Sequence, residues 1–500
     1  MKKMKFDFKK IFSESVFFFS EFIFPFSHSA KKLLLTIYYY LCRTNLINDM
    51  KVHFIAIGGS AMHNLAIALK LKGCSVSGSD DEIFEPARSR LKKYSLLPEQ
   101  ISWHPEKLDN SIDAVILGMH AKNDNPELLR AKELGLKIYS YPEFLYRMSK
   151  DKTRIVVGGS HGKTTITAMI LHAMKALGKD TDYMVGAQLE GFEVMVRMSD
   201  EAKYMVLEGD EYLSSVLDPR PKFHLYKPNV AIINGIAWDH INVFPTFDKY
   251  VEQFKLFADK IEPNGVLLYY EGDENARRIG LNACKDIRAK GYGALPCRTE
   301  NGRSIVQWKG MEYVMRIFGQ HNLINLNAAM LACEQTGIDN GDFLQTMTSF
   351  SGASKRLEAI KITDTQAFYS DFAHSPSKLK ATCEAVKKQY PSRRLVACLE
   401  LHTFSSLTKE FLVQYKNCMD STDCAAVYYN RHAIELKRLP DLSEEAVYEA
   451  FGKKDLKVLT DIEAVKEFIL TNTDKNSNVL MMSSSNFGGL DLKELAQSVM

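Results

Sequence analysis

Short apolar runs alternate along residues 50–500 with longer segments in which apolar residues recur at helical spacing. The short runs predict buried strands at 52–57, 155–157, 204–207, 230–233, 395–399, 425–429 and 479–482. The longer segments predict helices at 61–71, 166–177 and 326–336. Strands and helices that alternate in this way are typical of an α/β fold with parallel sheets.

The chain of 500 residues is long enough for two to four domains, at about 150 residues per domain. A strand-helix-strand pattern begins after Met50, and a second one begins near residue 151. Gly352-Ala353-Ser354, with flanking Ser, Gly and Lys, predicts a linker. We therefore expect α/β domains at 50–150, 151–352 and 353–500.

Residues 1–49 differ in composition from the rest of the chain, because they contain twelve Phe or Tyr residues. The longest uncharged run, 33–42, is too short to span a bilayer, which takes about 20 apolar residues. We expect an unstructured extension upstream of a natural start at Met50, and no stable membrane insertion. A surface anchor, with Lys31 and Lys32 beside aromatic residues, is the alternative.

Charge and cysteine usage exclude several classes of protein. The net charge is +3, and residues 1–49 carry eight basic against four acidic residues, so no basic surface for nucleic acid is predicted. The nine cysteines contain no C-x-x-C pair, which argues against a disulfide framework or a zinc ribbon. Reduced thiols and a cytoplasmic location are expected.

The pattern Gly159-x-x-Gly162-Lys163-Thr164 lies between a predicted strand and a predicted helix. Glycines let backbone N–H groups approach phosphate oxygens, and the helix N-terminus adds partial positive charge. A lysine neutralises phosphate, and a threonine hydroxyl can hold Mg²⁺. The segment therefore predicts an ATP site, although its spacing departs from the ordinary G-x-x-x-x-G-K-[ST] pattern.

Polar residues at the ends of later strands add to this site. Glu208 ends the strand at 204–207, and in a parallel sheet it would face the phosphates and offer Mg²⁺ an oxygen ligand. Asn322 and Asn325 are three residues apart, on one helix face, and would either contact adenine and ribose or cap the helix.

The first predicted strand ends at Gly58-Gly59-Ser60, and Asp80 follows 22 residues after Gly58. An acidic residue at this distance can lie near a ribose, and a diphosphate can sit over the helix N-terminus. Ser60 and His63 replace the second and third glycines of G-x-G-x-x-G, so a dinucleotide site is not expected.

These motifs together resemble the Mur ligases, a family of ATP-dependent ligases. The resemblance implies three domains: a Rossmann-like UDP-binding domain, a central P-loop ATPase domain and a C-terminal Rossmann-like domain. It implies ATP contacts at Gly159, Ser160, His161, Gly162, Lys163, Thr164, Thr165, His321, Asn322, Asn325, Arg356 and Asp371. It implies metal ligands at Thr164, Glu208 and His240, catalytic roles for Lys163, His240 and Arg356, and substrate contacts at Gly58, Gly59, Ser60, Asp80, His120 and His374.

Within that family, three stretches look like the murein peptide ligases, which join L-alanyl-γ-D-glutamyl-meso-diaminopimelate to UDP-N-acetylmuramate. They are Asp210-Glu211-Tyr212 with the residues up to Pro228, Glu400-Leu401-His402-Thr403, and Asn486-Phe487-Gly488-Gly489. The resemblance implies UDP-N-acetylmuramate and a peptide or amino-acid amine as partners, in a monomer or homodimer. The murein peptide ligases usually have Glu-Pro-Arg-Ser-Asn-Thr at the positions of 400–405, and this chain departs from that sequence. Ligation of L-alanine is therefore kept as the alternative.

Two other classes are less compatible with the sequence. A non-catalytic paralogue would not need Thr164, Glu208 and His240 together, and a folate polyglutamate ligase would not need residues 50–150. Lys255 lies 15 residues after His240, where some Mur ligases carry a carbamylated lysine that helps to hold a second magnesium. A solvated lysine on an amphipathic helix is the other interpretation.

Overall fold

The computed structural model describes residues 50–189, 191–240, 243–300, 303–353 and 356–500. The predictions made for residues 1–49, and for Ser354 and Lys355 of the linker, lie outside these ranges. Within them the chain forms three sheets that are wholly or mainly parallel and one antiparallel sheet, with helices packed against them. The prediction of a multidomain α/β fold is confirmed, whereas the domain boundaries themselves remain a prediction.

The first sheet is parallel and lies within residues 51–140. Its strands are β1 Lys51–Ile55, β2 Ser75–Ser79, β3 Ala114–Leu117 and β4 Ile138–Ser140, in the order β2-β1-β3-β4. Its helices are α1 Ser60–Leu71, α2 Ala87–Lys93, α3 Pro126–Glu133 and α4 Tyr141–Ser149, with a 3₁₀ turn at Pro105–Lys107. The Asn125 side chain caps α3, and Ser140 with Glu143 forms a capping box on α4.

The second sheet has seven strands, with the strand that precedes the glycine-rich loop near its centre. The strands are β5 Thr153–Gly158, β6 Thr181–Met184, β7 Val196–Arg197, β8 Tyr204–Glu208, β9 Val230–Ile233, β10 Val266–Tyr270 and β11 Arg288–Tyr292, in the order β11-β10-β9-β5-β8-β6-β7. All neighbours are parallel except β6 and β7. The associated helices are α5 Lys163–Ala176, α6 Phe247–Ala258 and α7 Glu274–Leu281, with a 3₁₀ turn at Lys222–Leu225.

An antiparallel sheet and two helices follow. The strands are β12 Cys297–Glu300, β13 Arg303–Trp308 and β14 Met311–Met315. The helices are α8 Gln320–Glu334 and α9 Asn340–Met347, and both pack against α5. The helix that carries Lys163 at its start is therefore buried between the seven-stranded sheet and this pair of helices.

The last sheet has six strands and occupies residues 358–482. The strands are β15 Glu358–Ile362, β16 Ala367–Asp371, β17 Arg394–Leu401, β18 Cys424–Tyr429, β19 Lys457–Leu459 and β20 Ser477–Met482, in the order β15-β16-β20-β17-β18-β19. Only the β15–β16 pair is antiparallel. The helices are α10 Pro376–Gln389, α11 Lys409–Leu412, α12 Arg431–Leu436, α13 Glu444–Phe451, α14 Ile462–Asn472 and α15 Leu492–Val499, with 3₁₀ turns at Ser405–Leu407, Val413–Tyr415 and Phe487–Gly489.

The apolar runs predicted as strands are buried on both faces, as parallel strands between helices require. Ile155 and Val157 of β5 contact the core beneath α5 and α8, whereas Val156 contacts the core beneath α6. This alternation follows from the two-residue period of a strand. The strand β5 ends at Gly158, directly before the glycine-rich loop.

One helix boundary differs from its prediction. The sequence pattern predicted a helix at 326–336, but α8 begins at Gln320, directly after Gly319 with φ +89°. His321, Asn322 and Asn325 therefore lie on the first turns of the helix, in agreement with the placement of Asn322 and Asn325 on one helix face. The polar residues of these turns hid the helical period, because they face a cavity and not solvent.

No helix in the described ranges is long and apolar enough to cross a membrane.

Candidate functional site

The loop between β5 and α5 needs glycine at two positions because backbone or side-chain atoms of neighbouring residues come very close to it. Gly159 has φ +122°, and a Cβ there would lie 2.7 Å from the backbone nitrogen of Asn234. Gly162 has φ +74°, and a Cβ there would lie 2.2 Å from Oδ1 of Asn325. L-residues rarely adopt these φ values, so the glycines allow both the turn and the close packing.

Lys163, the first residue of α5, forms an ion pair inside the site. Its Nζ donates to the carbonyl of Gly159 at 2.7 Å and to Oε2 of Glu211 at 2.8 Å. Burial alone would lower the pKa of Lys163, but the carboxylates of Glu211 and Asp210 raise it above its ordinary value. The lysine is therefore a permanent cation at the end of the loop.

Glu211 connects this cation to a hydrogen-bonded network. The side chain is 1% exposed, and its Oε1 accepts from the Tyr250 hydroxyl at 2.8 Å. The same hydroxyl lies 2.9 Å from Oγ of Ser160, which in turn accepts from the backbone nitrogen of Ala237. The two oxygens of Glu211 thus hold both Lys163 and, through Tyr250, the preceding turn of the loop.

Two of the three predicted metal ligands meet in the structure. Thr164 Oγ1 donates to Oε1 of Glu208 at 2.8 Å, and Oε2 of Glu208 accepts from the backbone nitrogen of Gly186 at 2.9 Å. A hydroxyl and a carboxylate beside a phosphate-binding loop form the oxygen donor set that Mg²⁺ prefers. These residues therefore fit a magnesium ion shared with a nucleotide phosphate.

His240, the third predicted ligand, faces a different carboxylate. Its Nε2 lies 3.9 Å from Oε1 of Glu211, and its backbone, at φ +53°, donates to Oδ1 of Asp239. In the described residues no group of three or more His, Cys, Asp and Glu side chains is placed to hold a metal ion. The set of Thr164, Glu208 and His240 is thus assembled only in part.

Asn325, on α8, is linked to the glycine-rich loop by hydrogen bonds through Asn234. Its Oδ1 accepts from Nδ2 of Asn234 at 2.8 Å, and Nδ2 of Asn234 also donates to the carbonyl of His161 at 3.1 Å. The hydroxyl of Tyr292 donates to Oδ1 of Asn234 at 2.7 Å. Nδ2 of Asn322 donates to the carbonyl of Phe318, but no side chain caps the N-terminus of α8, whose N-cap residue is Gly319.

The 353–500 segment contributes Arg356 and Asp371. The Arg356 guanidinium lies 4.5 Å from the centre of the Phe372 ring. The two oxygens of Asp371 accept from the backbone nitrogens of Leu357, at 2.5 Å, and Ala373, at 2.6 Å. Burial raises the pKa of Asp371, although the charge of Arg356 opposes this. Asp371 therefore holds the backbone at Leu357, the residue that follows Arg356.

Two histidines lie at the contact between the loop and the 353–500 segment. Nε2 of His161 is 3.0 Å from Oγ of Ser377, and Nδ1 of His374 donates to the carbonyl of Phe372 at 2.8 Å. Burial, and then the charge of Lys378, lower the pKa of His161 to about 3 and that of His374 to about 4. Both imidazoles are neutral at physiological pH.

These residues enclose a cavity of about 270 Å³, bordered by most of the predicted ATP-binding residues. The predicted residues in its wall are Ser160, His161, Gly162, Lys163, Thr164, Thr165, Glu208, His321, Asn322, Asn325, Arg356 and Asp371. A second cavity of about 430 Å³ shares Thr165, Asn322 and Arg356 with the first and continues beneath β14. The space, the lysine and the helix N-terminus together suit a nucleoside triphosphate.

Sequence reasoning did not identify Tyr250 or Lys378, and it treated Glu211 only as one of several acidic residues. Lys378 lines the 270 Å³ cavity, and burial and the charge of Lys163 lower its pKa to about 8. Glu211 could have been singled out, because Glu208-Gly209-Asp210-Glu211 places acidic residues at the end of a strand. Tyr250 and Lys378 lie on amphipathic helices and have no distinguishing local pattern.

The turn after β1 is shaped by Asp80. Its carboxylate accepts from the backbone nitrogens of Gly58, at 2.7 Å, and Asp81, at 3.0 Å, and burial raises its pKa to about 6. Gly58 lies in the turn before α1, Gly59 is the N-cap residue and Ser60 is the first residue of the helix. His120 is exposed after β3. The substrate contacts predicted for these residues remain a prediction.

Lys255 lies on the exposed side of α6, while Tyr250, Phe254 and Phe257 of the same helix are buried. The amphipathic interpretation of this segment therefore agrees with the burial pattern. A carbamylated Lys255 in the metal site would require a side chain directed toward Glu208 and Thr164. Carbamylation of Lys255 remains a prediction.

Two stretches that the sequence singled out for substrate choice meet in the structure. Glu400, near the end of β17, is buried, and its Oε2 accepts from the Ser483 hydroxyl and from the backbone nitrogen of Phe487 at 2.8 Å. Phe487 has φ +50°, and Gly488 and Gly489 also have positive φ. One carboxylate thus holds the glycine-rich turn against the end of the sheet.

Comparison with known proteins agrees with this geometry. A model of the Mur ligase middle domain matches residues 157–333, and a model of the Mur ligase family catalytic domain matches residues 51–153. The UDP-N-acetylmuramate–L-alanine ligase of Caldicellulosiruptor bescii is 31% identical over 419 residues, which cover 80% of this chain and 87% of the relative. The UDP-N-acetylmuramate–L-alanyl-gamma-D-glutamyl-meso-2,6-diaminoheptandioate ligase of Haemophilus influenzae is 27% identical, covering 89% and 98%.

Solved structures show the same architecture. The murein peptide ligase of Psychrobacter arcticus has a TM-score of 0.60 at 21% identity and covers 90% of this chain and 98% of its own. The UDP-N-acetylmuramate–alanine ligase of Thermotoga maritima has a TM-score of 0.65 at 19% identity, with 90% and 97% covered. At these identities the structures show a shared fold.

Proposed function

Since the chain belongs to the Mur ligase family and is therefore an ATP-dependent ligase, we propose that it joins the tripeptide L-alanyl-γ-D-glutamyl-meso-diaminopimelate to UDP-N-acetylmuramate. The reaction forms an amide bond between the muramate carboxylate and the peptide amine. It serves peptidoglycan synthesis by returning a peptide to the nucleotide precursor, and its substrates place it in the cytoplasm.

The contact between Glu400 and Phe487 is the observation that most supports the tripeptide as the substrate. It joins the Glu400–Thr403 and Asn486–Gly489 stretches, both of which are similar to murein peptide ligases, at the carboxyl end of β17. Ligands of open α/β sheets bind at such strand ends. A relative from Haemophilus influenzae, 98% of which is covered by the match, carries the name of the tripeptide ligase.

Ligation of L-alanine is a second candidate, because several of the curated relatives are L-alanine ligases. The relative from Caldicellulosiruptor bescii, at 31% identity, is one of them. The two reactions differ only in the amine, so they share the ATP site and the muramate carboxylate. The residues at 400–405 and 486–489 would decide between them.

The chemistry follows from the residues around the 270 Å³ cavity. The muramate carboxylate oxygen bonds to the γ-phosphorus of ATP, the bond from that phosphorus to the bridging oxygen breaks, and ADP leaves with the electron pair. The peptide amine then bonds to the carbonyl carbon of the acyl phosphate, inorganic phosphate leaves, and the amine loses a proton. The enzyme supplies orientation and charge, and no side chain has to act as a nucleophile.

Different residues would bind the phosphates, the metal ion and the substrates. Lys163 would neutralise phosphate oxygens, and Arg356, which lines the same cavity, would contact the transferring phosphoryl group. Thr164 and Glu208 would hold Mg²⁺, which supplies positive charge to the phosphates when bound. We propose that 50–150 binds the UDP group at Gly58–Ser60, that 151–352 binds ATP, and that 353–500 binds the amine.

A coupled phosphate-release assay with UDP-N-acetylmuramate and ATP tests this proposal. L-alanine, the dipeptide L-alanyl-D-glutamate and the tripeptide L-alanyl-γ-D-glutamyl-meso-diaminopimelate are offered as separate amines. We expect the tripeptide to give a kcat/KM at least about tenfold above that of L-alanine, because contacts to the longer substrate add binding energy in the transition state.

Purified Lys163→Ala protein provides the background rate of contaminating ATPases in the same assay. A higher kcat/KM for L-alanine would replace the proposal by the second candidate. Turnover of wild-type protein at the background rate with every amine would contradict both.

A further inference from the structure

Lys378 brings a second lysine to the phosphate end of the cavity. It lies in the first turn of α10, after Pro376 and Ser377, and lines the 270 Å³ cavity together with Lys163 and Arg356. The preceding residue, Ser377, contacts the phosphate loop directly through Nε2 of His161 at 3.0 Å. The start of α10 is therefore packed against the loop on which ATP phosphates would rest.

The direction of α10 shows which end of a nucleotide Lys378 would meet. The helix starts at the phosphate loop and passes Gly319, at the start of α8, near Ala385: a Cβ on Gly319 would lie 2.7 Å from the Ala385 Cβ. Asn322 and Asn325, on the first turns of α8, carry the predicted contacts with adenine and ribose. Lys378 is thus at the end of the helix nearest the loop, and the adenosine side is farther along it.

The charges around Lys378 favour an anion. Its charge contributes to the lowered pKa values of His161, His374 and Asp239, which places the ammonium among these groups. In the part of the chain that the structure describes, Lys378 forms no ion pair with a carboxylate.

The carboxylates near Lys378 already accept hydrogen bonds in the described structure, and Asp239, whose charge acts on Lys378, accepts from the backbone nitrogen of His240. Glu211 is paired with Lys163, and Asp371 accepts from two backbone N–H groups. Lys378 shares the cavity wall with Lys163 and Arg356, and none of the three carboxylates of that wall, Glu208, Asp273 and Asp371, pairs with it in the described structure. An ammonium that has no carboxylate partner and lies near two other cations can accept phosphate oxygens as its counter-charge.

We propose that Lys378 is a second phosphate-binding lysine, delivered by α10, that contacts the terminal phosphate of bound ATP and not the phosphates of ADP. The inference rests on the proposed ATP-dependent function and adds to it a residue that no sequence motif had indicated. When the carboxylate oxygen bonds to the γ-phosphorus and ADP leaves, Lys378 stays on the transferred phosphoryl group and exchanges no proton. The contact would also link binding of ATP to docking of the 353–500 segment on the loop.

Nucleotide titrations without sugar nucleotide or amine test the inference directly. Binding of the non-hydrolysable analogue AMP-PNP and of ADP, each with Mg²⁺, is measured by calorimetry for wild type, Lys378→Ala, Lys378→Met and Lys378→Arg. We expect the Ala and Met variants to bind AMP-PNP on the order of tenfold more weakly, with less than about twofold change for ADP. Lys378→Arg should restore most of the AMP-PNP affinity, since it keeps the charge.

Lys380→Ala is the matched control, because Lys380 is on the same helix but exposed, beside Glu384. It should bind both nucleotides as wild type does. Thermal unfolding of each variant shows whether it is folded, and Lys378→Met preserves the packing of the stem if Lys378→Ala does not fold.

Equal losses for AMP-PNP and ADP, or no loss for either, would overturn the assignment of Lys378 to the terminal phosphate. The outcome is separable from that of the ligation assay. A protein that ligates no tested amine but shows the AMP-PNP difference supports Lys378 and refutes the proposed reaction, whereas wild-type protein that binds neither nucleotide refutes both.

Discussion

Lys163 and Glu211 form an ion pair of 2.8 Å although they are 48 residues apart in the sequence. The pair joins the start of α5 to the loop after β8, and Tyr250 extends it to α6 through Oε1 of Glu211. The cation that would meet phosphate is thus held in place before a nucleotide arrives. Preorganised charge of this kind lowers the cost of reorganisation during the reaction.

Removing the cation should abolish most of the activity. We expect Lys163→Ala to lower kcat by about 10²-fold or more, the loss typical of removing one electrostatic stabiliser. The measurement is phosphate release at saturating ATP, with circular dichroism to show that the fold is retained. Near-normal turnover in a folded variant would remove Lys163 from the reaction.

Neutralising its partner should destabilise the protein. We expect Glu211→Gln to lower the free energy of unfolding by about 3 kcal/mol, because it leaves the Lys163 ammonium in the site without its counter-charge. Urea denaturation measures the loss. Asp218→Asn is the control, since Asp218 pairs with the exposed Arg220, and it should cost less than about 1 kcal/mol. Similar losses for both variants would contradict the structural role of Glu211.

The two ends of α5 allow a direct test of the glycine-rich turn. Gly162 precedes the helix with φ +74° and Gly178 follows it with φ +66°, but a Cβ on Gly178 meets nothing within 4 Å. Gly178→Ala should therefore cost only the strain of about 1 kcal/mol and leave turnover unchanged. Gly162→Ala must also displace Asn234 or Asn325, so we expect ATP binding to weaken by about tenfold or more. Equal behaviour of the two variants in nucleotide titrations would refute this account.

Burial of histidine predicts a loss of stability in acid. Burial lowers the pKa of His321 to about 4, so the folded protein binds a proton there less readily than the unfolded chain, whose ordinary value is about 6.5. The stabilisation is therefore complete above about pH 6.5 and is lost as the pH falls toward 4, with a slope of at most about 1.4 kcal/mol per pH unit. Chemical denaturation without nucleotide at several pH values measures that slope.

His321→Gln should reduce the slope by up to about 1.4 kcal/mol per pH unit over the same pH range, because the variant lacks this imidazole while the buried His161 and His374 remain. His432→Gln serves as the control because His432 is exposed on α12, with 71% of its side chain accessible, and the slope should not change. A His321→Gln slope equal to that of wild type would show that this histidine does not couple folding to protons.

The sequence by itself determined the fold class and the position of the phosphate loop. Both are local signals: apolar runs of strand length, helical periods, and glycines next to a lysine and a threonine within six residues. The family followed from the same motifs, and the comparisons confirmed it. The start of α8 was missed because its polar first turns face a cavity, and local periodicity reports exposure to solvent only.

Only the tertiary structure decided how distant residues meet. It paired Lys163 with Glu211, set Asn325 against Asn234, and joined Glu400 to the Phe487 turn, with separations of 48, 91 and 87 residues. It also placed Lys378, an ordinary lysine of an amphipathic helix, beside the phosphate loop. The physical reason is that a side chain's neighbours in sequence set its backbone conformation, whereas its electrostatic partners depend on how separate sheets and helices pack together.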